Sequence, residues 1–394
     1  MRPSPSGVWL AAAIMLVLPP VARPAAGQAG AAGEGGAPAG LENIGAGQPA
    51  EGATLAAAAQ EGTAATEVVR ADDAYHYPAW RDARHDAFYT EWWYFNFHDA
   101  RAGVDCIFSY FVIDPEDIGG IGQVQMVAVA YTREGTVTAI DRYPAAAFQA
   151  SDQEADVRIG GNGARVGADG SYRVSGQSLD GRLAWDLKYV ADSVPWFGAD
   201  RMTVGRLAWE KMSWLVQMPR ARVTGTVTID GRAHAIRATG YHDHNWGEWI
   251  PTDATWNWAQ FSSPRLSLEV GDFIGKPIGV VALDLDGART VFTPDQYSLV
   301  HTRWGWDRVN RLFFPTESLL TADNGALRLE VTLRALKTEP LRGDLPRPLR
   351  DLIIYEQTAR YDGVVREWVE EVGEWRVRAW LRGTGFKEWT GKKY

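Results

Sequence analysis

The chain has 394 residues, of which 46% are hydrophobic and 23% charged. This balance is typical of soluble globular proteins and excludes collagen, wholesale disorder and a polytopic membrane protein. The net charge of -9, without clusters of Lys and Arg, gives nucleic acid or an anionic membrane surface little to bind. Cys106 is the single cysteine, so an intramolecular disulfide, a cysteine zinc site and an iron–sulfur cluster are excluded.

The N-terminus has the pattern of a secretory signal peptide. Arg2 supplies a positive start, an apolar run of 11 residues follows at Val8–Leu18, and small residues continue to Ala26. The run is short for a membrane span, although an uncleaved N-terminal anchor is the alternative. We expect residues 1–26 to be removed, the protein to be periplasmic or secreted, and no stable membrane span to remain after cleavage.

Residues 27–67 are dominated by Ala and Gly and contain almost no large apolar side chain. Such a segment cannot bury enough surface to offset the conformational entropy that it would lose on ordering. We therefore predict a disordered linker, and we expect the folded part of the chain to begin at residue 68.

The rest of the chain has the pattern of short β-strands. Runs such as Val104–Ile113, Leu183–Val190 and Ile278–Leu285 show period-two alternation or continuous β-branched and aromatic residues. Turn signals such as Gly160–Gly163 and Asp323–Gly325 separate them. Many short strands at regular spacing predict barrels or sandwiches.

Helical periodicity is scarce, and helices are predicted only at Leu345–Thr358 and Pro315–Thr321. The strand-rich region is too long for one small barrel. We therefore predict an all-β protein with two domains, at residues 68–250 and 251–394.

Tryptophan is unusually frequent, with 18 residues. Each indole provides a large apolar area and one N–H group that needs a partner. This density favours either aromatic surfaces that bind ligands or a sheet-rich core.

Most of the chemical information lies in the segment Gly240–Trp249, whose sequence is GYHDHNWGEW. Side chains alternate between the two faces of a strand, so the segment divides into two sets. One face carries His242, His244 and Trp246, and the other carries Tyr241, Asp243 and Asn245. If the first face lines a barrel lumen, imidazole and indole groups meet there. Asp243 is then a structural partner on the opposite face, or enters the cavity if the strand bulges or ends. The alternative is a polar strand end that hydrogen-bonds local backbone.

The spacing of His242 and His244 also permits two nitrogens to bind one metal ion. A metal site needs a third ligand, and no nearby residue is an obvious candidate. We therefore predict no metal site. The histidines at positions His76, His85 and His98 are scattered, and we interpret them as surface or capping residues.

A second motif, Thr90–His98, places Glu91 and Trp93 on one strand face. A carboxylate among aromatic residues must pair with Arg or with several N–H donors, or become protonated. A structural ion pair is the favoured interpretation of Glu91, and contact with a ligand is the alternative.

The motif Glu91–Tyr94, followed by the strand Pro219–Gly225 and then by Gly240–Gly247, resembles the carotenoid 1,2-hydratase/AttH-like family. The same superfamily includes kievitone hydratase and the lipocalin-like fungal Diels–Alderases. The resemblance runs from Tyr75 to the C-terminus. It implies two lipocalin-like (calycin) β-barrels in tandem, a large apolar pocket, no organic cofactor, and hydration or cyclisation of an isoprenoid or polyketide alkene.

The resemblance also implies site residues. It places His244 and Trp246 at the active site, and it implies an acid on a following strand, for which Asp284 is the closest match, although no Tyr stands two residues before it. The catalytic candidates are Asp243, His244, His242 and Asp284. The expected ligand contacts are Trp246, Tyr241, Asn245, Trp249, Trp256, Trp258, Trp93 and Glu91.

Adding water to an unactivated alkene needs a strong acid and a sheltered cation. Our hypothesis is that Asp243 or Asp284 protonates the alkene, because desolvation raises the pKa of a buried carboxylic acid. The indoles would then stabilise the carbocation, and His244 would deprotonate the attacking water.

Two other functions remain open. One is a non-catalytic exported binder of apolar molecules, and the other is a pericyclase-type cyclase that depends on shape more than on acid. Convergence of Asp243, His244 and a further ionisable group in one pocket would favour an enzyme.

Overall fold

The computed structural model describes residues 67–120, 122–342 and 352–392. The predicted signal segment, 1–26, lies outside these residues, as does the predicted linker except for Glu67. The described residues belong to one compact unit. Within them, no helix is long and apolar enough to cross a membrane.

The described chain is almost entirely antiparallel β-structure, which confirms the predicted all-β class. The strands of the first sheet are β1 (Tyr89–Asp99), β2 (Val104–Ile113), β3 (Gln123–Thr132), β4 (Thr136–Tyr143), β5 (Phe148–Ala150), β6 (Asp156–Ile159), β7 (Asn162–Val166), β8 (Tyr172–Gln177), β9 (Leu183–Ala191), β10 (Trp196–Thr203), β11 (Lys211–Ile229) and β12 (Arg232–Glu248). The strands of the second sheet are β13 (Trp256–Ser263), β14 (Leu266–Phe273), β15 (Gly279–Leu285), β16 (Ala288–Phe292), β17 (Tyr297–Asp307), β18 (Leu312–Asp323), β19 (Leu327–Leu341), β20 (Leu352–Val369) and β21 (Glu374–Lys392).

In the described ranges, helical structure is confined to short turns. The helix α1 spans Tyr77–Trp80, and 3-10 helices span Arg70–Asp73, Asp86–Phe88 and Ala145–Ala147. Both predicted helices are wrong. Pro315–Thr321 lies within strand β18, and the described part of Leu345–Thr358 lies within strand β20. Pairing with neighbouring strands, which local periodicity does not register, decides both segments.

The two sheets are each curled, and the strand order follows the chain in long antiparallel runs. The first sheet has the order β4-β3-β2-β1-β12-β11-β9-β8-β7-β6-β5, with β10 paired to β11, and the second has the order β16-β15-β14-β13-β21-β20-β19-β18-β17. These sheets form two lipocalin-like barrels in tandem, as expected. The chain passes from one to the other between Glu248 and Trp256. The domain limits at 250 and 251 stay a prediction.

Strand β11 shows how the first sheet bends. Its first half pairs with β10 and its second half with β9, and the register shifts at Met218 and again before Ala221. Pro219, which lies between them, cannot donate to a ladder and therefore belongs at such a bulge. The bulge bends β11, so that its two halves can pair with different strands.

Each sheet encloses its own apolar core. The interior of the first contains residues such as Phe95, Phe108 and Tyr189, and that of the second contains Leu268, Val331 and Tyr361. A third apolar cluster, including Trp214 and Trp258, lies where the two sheets face each other. A buried side chain can therefore lie inside the first barrel, inside the second barrel, or between the two sheets.

Candidate functional site

Strands β1 and β12 carry both sequence motifs and pair directly. Trp93 lies opposite His244, and Tyr94 lies opposite Asp243. The predicted alternation is present: His242 and His244 contact groups inside the first barrel, whereas Asp243 contacts residues between the two sheets. The segment GYHDHNWG thus serves two different sites, one on each face.

The face inside the first barrel holds a buried histidine cluster, which consists of Asp73, His76, Glu91, His242 and His244. The His244 ring lies between two carboxylates, with Nδ1 3.1 Å from Asp73 Oδ1 and Nε2 2.8 Å from Glu91 Oε1. Burial alone would lower the pKa of His244, but the hydrogen bonds and charges of Asp73 and Glu91 outweigh it and raise the pKa. We conclude that His244 is the positive centre of the cluster.

His242 links the cluster to the backbone of the sheet. Its Nδ1 lies 2.9 Å from the carbonyl oxygen of Tyr94, so Nδ1 carries a proton and donates it, and its Nε2 lies 3.0 Å from Asp73 Oδ2. The Tyr172 hydroxyl donates to the same Asp73 oxygen. Burial would raise the pKa of Asp73, but the charge and hydrogen bonds of His242 and His244 hold it well below its ordinary value.

Glu91 is surrounded by donors. The His76 backbone N–H and the Tyr89 hydroxyl, at 3.0 and 2.5 Å, donate to its carboxylate in addition to His244. Burial alone would raise the pKa of Glu91, but the hydrogen bonds from His244 and His76 outweigh burial and lower the pKa below its ordinary value. Its partners are histidines and a tyrosine rather than an arginine, so this ion pair depends on the protonation of imidazole.

The N-terminal segment fills the face on which imidazoles were expected to meet a ligand. The Trp93 indole N–H donates to the backbone carbonyl of Asp73, and the rings of Tyr77 and Trp80 pack against Tyr89 and Trp246. The His76 ring stacks on Trp246 at 3.7 Å between centroids. This face is occupied by the protein's own side chains.

Two groups of described residues have the composition of a metal site, and one lies in the buried histidine cluster. His76, Glu91 and His244 offer three ligand atoms within 4.8 Å of one another. This group contains His244 but not His242, so it is a different set from the His242–His244 pair considered in the sequence. Because Glu91 already accepts hydrogen bonds from both histidines, a metal ion would have to displace those protons. The second group is Asp82, His85 and Glu248.

The opposite face borders two adjoining cavities between the sheets, which we call the intersheet cavity. The larger part has a volume of about 150 Å³ and the smaller about 60 Å³, and Trp92, Tyr94, Trp256 and Glu388 border both. The rest of the larger part is mostly apolar, with Ile107, Phe111, Ile113, Val127, Ile140 and Trp249 in its wall. A dry apolar cavity of about 150 Å³ can hold a benzene-sized group.

Asp243 forms part of the wall of the smaller cavity. Its carboxylate accepts hydrogen bonds from Trp214 Nε1 at 2.9 Å, the Tyr241 hydroxyl at 2.8 Å and Asn245 Nδ2 at 3.1 Å. Burial raises the pKa of Asp243 to about 7, and these hydrogen bonds only partly oppose the shift. The result is a fixed carboxyl group that gains and loses its proton near neutral pH beside an apolar space.

The remaining predicted residues divide between these environments. Trp249, Trp256, Trp258 and Asn245 border the intersheet cavity, while Trp93, Trp246, Glu91, His242 and His244 lie inside the first barrel. Asp284 borders neither part, because Arg289 on the adjacent strand holds both of its oxygens at 2.8 and 2.7 Å. Asp243 and His244 therefore do not converge in one pocket.

Sequence reasoning missed several residues of both sites. Asp73 belongs to a short 3-10 helix far from the motifs, and His76, expected as a surface or capping residue, stands at the N-cap of α1 with a largely buried ring that contacts Glu91. Glu356 and Glu388 border the intersheet cavity from strands β20 and β21. Glu356 follows the uncharged run Leu352–Tyr355, which begins strand β20. This run could have indicated a buried strand that ends in an acid, but the segment was assigned to a helix. His85 and His98 pair with nearby aspartates at partly exposed positions.

Comparison with solved structures supports the tandem fold. A protein of Nitrosomonas europaea provisionally assigned as AttH matches with a TM-score of 0.62 and 16% identity, over 84% of this chain and 98% of that one. The structure of CghA with Sch210972 matches with a TM-score of 0.53 and 14% identity, over 78% and 89% of the two chains. No protein-family model matches the sequence, and no curated protein sequence matches it. At these identities the comparisons establish a shared fold with an AttH-like structure and with CghA.

Replacing His244 by Gln should destabilise the protein strongly, because it leaves Asp73 and Glu91 buried without their shared cation. We expect the free energy of unfolding in urea to fall by about 3–5 kcal/mol. His234→Gln on the same strand, at a partly exposed position, is the matched control and should change it by less than about 0.5 kcal/mol. Equal stability of the two variants would contradict a structural role for the cluster.

Asp243 should make stability fall with pH. Its folded-state pKa of about 7 lies above the value of about 3.9 for an unfolded aspartate, so the folded state binds the proton more tightly. The contribution is complete below about pH 4 and is lost as the pH rises through about 7. Urea unfolding of Asp243→Asn should therefore show a smaller loss of stability than wild type between about pH 5 and about pH 8. Parallel pH profiles of the two proteins would refute the raised pKa.

Proposed function

We propose that the intersheet cavity is the active site of a cofactor-independent hydratase or cyclase. Its substrate is an apolar isoprenoid- or polyketide-like molecule with an alkene, and Asp243 is the acid. The observation that carries the proposal is a buried carboxyl group, with a pKa of about 7, in the wall of a small cavity that four tryptophans border and that adjoins a larger, mostly apolar one.

The chemistry follows from the contacts of Asp243. The protonated carboxyl group transfers its proton to one alkene carbon, a C–H bond forms, and the adjacent carbon becomes a cation. The faces of Trp256 and Trp258 stabilise that charge, by about 2 kcal/mol or more each when desolvated. Water then adds and loses a proton, or a second alkene of the substrate attacks and a neighbouring C–H is lost. The Asp243 carboxylate recovers the proton in either case.

His244 has a different part in this proposal from the one first expected. It lies on the other face of β12, inside the buried histidine cluster, and borders neither part of the intersheet cavity. We therefore assign it to holding β1 and β12 in register and not to activating water. Tyr241 and Trp214 are positioning residues, because they fix the Asp243 carboxylate from behind.

The similarity to solved structures supports a small organic molecule as the ligand. One structure of the same fold, CghA, was determined with Sch210972. We propose that the chain is an AttH-like protein on the basis of this fold and of the motifs Glu91–Tyr94 and Gly240–Gly247. We also propose export to the periplasm or the medium, from the sequence of residues 1–26 alone. Sequencing the N-terminus of the protein after expression in a Gram-negative host tests this export.

A non-catalytic carrier is the second candidate, and one observation favours it. The outer wall of the larger cavity is aliphatic and aromatic and bears few polar groups, as a binding site for apolar molecules requires. Such a carrier would not need the raised pKa of Asp243.

Isotope labelling separates these functions. The protein is incubated with candidate alkenes, first those that co-purify with it, in D₂O and in H₂¹⁸O, and the products are analysed by mass spectrometry. Hydration incorporates ¹⁸O, protonation followed by cyclisation incorporates deuterium at carbon without ¹⁸O, a pericyclic reaction incorporates neither, and a carrier leaves its ligand unchanged.

Asp243→Asn should abolish turnover and leave ligand affinity within about threefold, because the shape of the cavity is retained. Asp284→Asn is the matched control and should keep activity, since its partner Arg289 lies outside the cavity. Turnover that survives in Asp243→Asn would refute the assignment of the acid.

A further inference from the structure

We propose that Glu356 and Glu388 act as a carboxyl pair that makes the intersheet cavity a binding site for bulky, weakly hydrated cations of the alkylammonium type. The same pair would stabilise a carbocation of similar shape. The inference deepens the proposed function, and it rests on that function for the carbocation but not for ammonium binding.

The pairing of strands β20 and β21 places Glu356 and Glu388 side by side. Glu356 on β20 and Glu388 on β21 are direct cross-strand partners, and both border the larger part of the cavity. Side chains at such positions have Cβ atoms about 4.5–5.5 Å apart, and like charges placed there repel each other. Glu356 is only 1% exposed, so water cannot screen that repulsion.

The cavity wall supplies almost no positive charge to offset these acids. Among the described residues, the larger part is bordered by one cationic side chain, Arg342, and the smaller part by no Lys, Arg or His. Asp243 and Asp272 add two further carboxyl groups to the smaller part. Lys387, next to Glu388 in the chain, points the other way and donates to the backbone carbonyl of Pro315.

The hydrogen bonds of the pair are incomplete. Trp256 Nε1 donates to Glu388 Oε2 at 3.0 Å, but the buried Glu356 Oε2 meets no donor with hydrogen-bond geometry in the described part of the chain. Burial, followed by the charge of Glu388, raises the pKa of Glu356 well above its ordinary value. A buried carboxyl oxygen without a donor is destabilising, and a cationic ligand beside it supplies a compensating charge.

The aromatic side chains in the cavity wall also favour a cation. Trp92 and Trp256 lie at 6.5 Å between centroids with nearly parallel planes, and both border the two parts of the cavity together with Tyr94. Indole faces attract cations that have lost their hydration shell, and quaternary ammonium groups are a common case. Carboxyl groups beside indoles favour such cations and disfavour fatty acids and other anions.

Choline and its uncharged isostere 3,3-dimethylbutan-1-ol test the proposal, because they differ only in the central N⁺ or C atom. Affinities of the full-length protein are measured by calorimetry and by tryptophan fluorescence. We expect choline to bind at least fivefold more tightly than the alcohol. Glu356→Gln and Glu388→Gln should each remove most of that preference, while the exposed Glu330→Gln on β19 should keep it.

The outcomes separate this inference from the proposed function. Equal binding of the two probes, or an unchanged preference in both Gln variants, overturns the carboxyl pair even if Asp243-dependent turnover is found. A preference for choline without any isotope incorporation supports the pair and refutes the enzyme. Both Gln variants should unfold at a urea concentration close to that of wild type, since each replaces a carboxyl group by an amide of nearly the same shape, so loss of fold does not explain a loss of preference.

Discussion

The register between β1 and β12 is the constraint on which both sites depend. It places Trp93 opposite His244 and Tyr94 opposite Asp243, so that imidazoles enter the first barrel and the carboxyl group faces the second sheet. A slip by one residue would exchange the two faces. The buried histidine cluster prevents this slip, because Asp73 and Glu91 can be paired only when His242 and His244 point inward.

The cluster explains how the first barrel tolerates so much buried charge. Negative and positive groups alternate in space, from Asp73 to His244 to Glu91, and hydroxyl and backbone N–H donors satisfy the outer carboxylate oxygens. An arrangement of this kind is favourable only when every member is present, since a single buried charge is expensive. Asp73, which completes the cluster, comes from a 3-10 helix outside the sheet.

The fold was predictable because strand signals are local. Val104–Ile113 is predicted residue for residue, and the alternation within Gly240–Gly247 is present as expected. Contacts between residues that are far apart in the sequence could not be predicted. The partnership of Asp73 with His242 spans 169 residues, and no spacing rule reveals it. The alternation defined two faces but not which of them borders a cavity, because that depends on how the second sheet covers the first.

The acids between the sheets make the interface between them less stable than apolar side chains would. Asp243, Glu356 and Glu388 border the intersheet cavity, where burial and the nearby charge of Glu388 raise the pKa values of Asp243 and Glu356. The space therefore retains protons at a pH where exposed carboxyl groups have lost them. Apolar side chains of similar volume would stabilise the interface between the sheets more. In the proposed function, a cation that binds or forms there would recover the stability that the protein forgoes at this interface, and the indoles that border the space would stabilise the same charge.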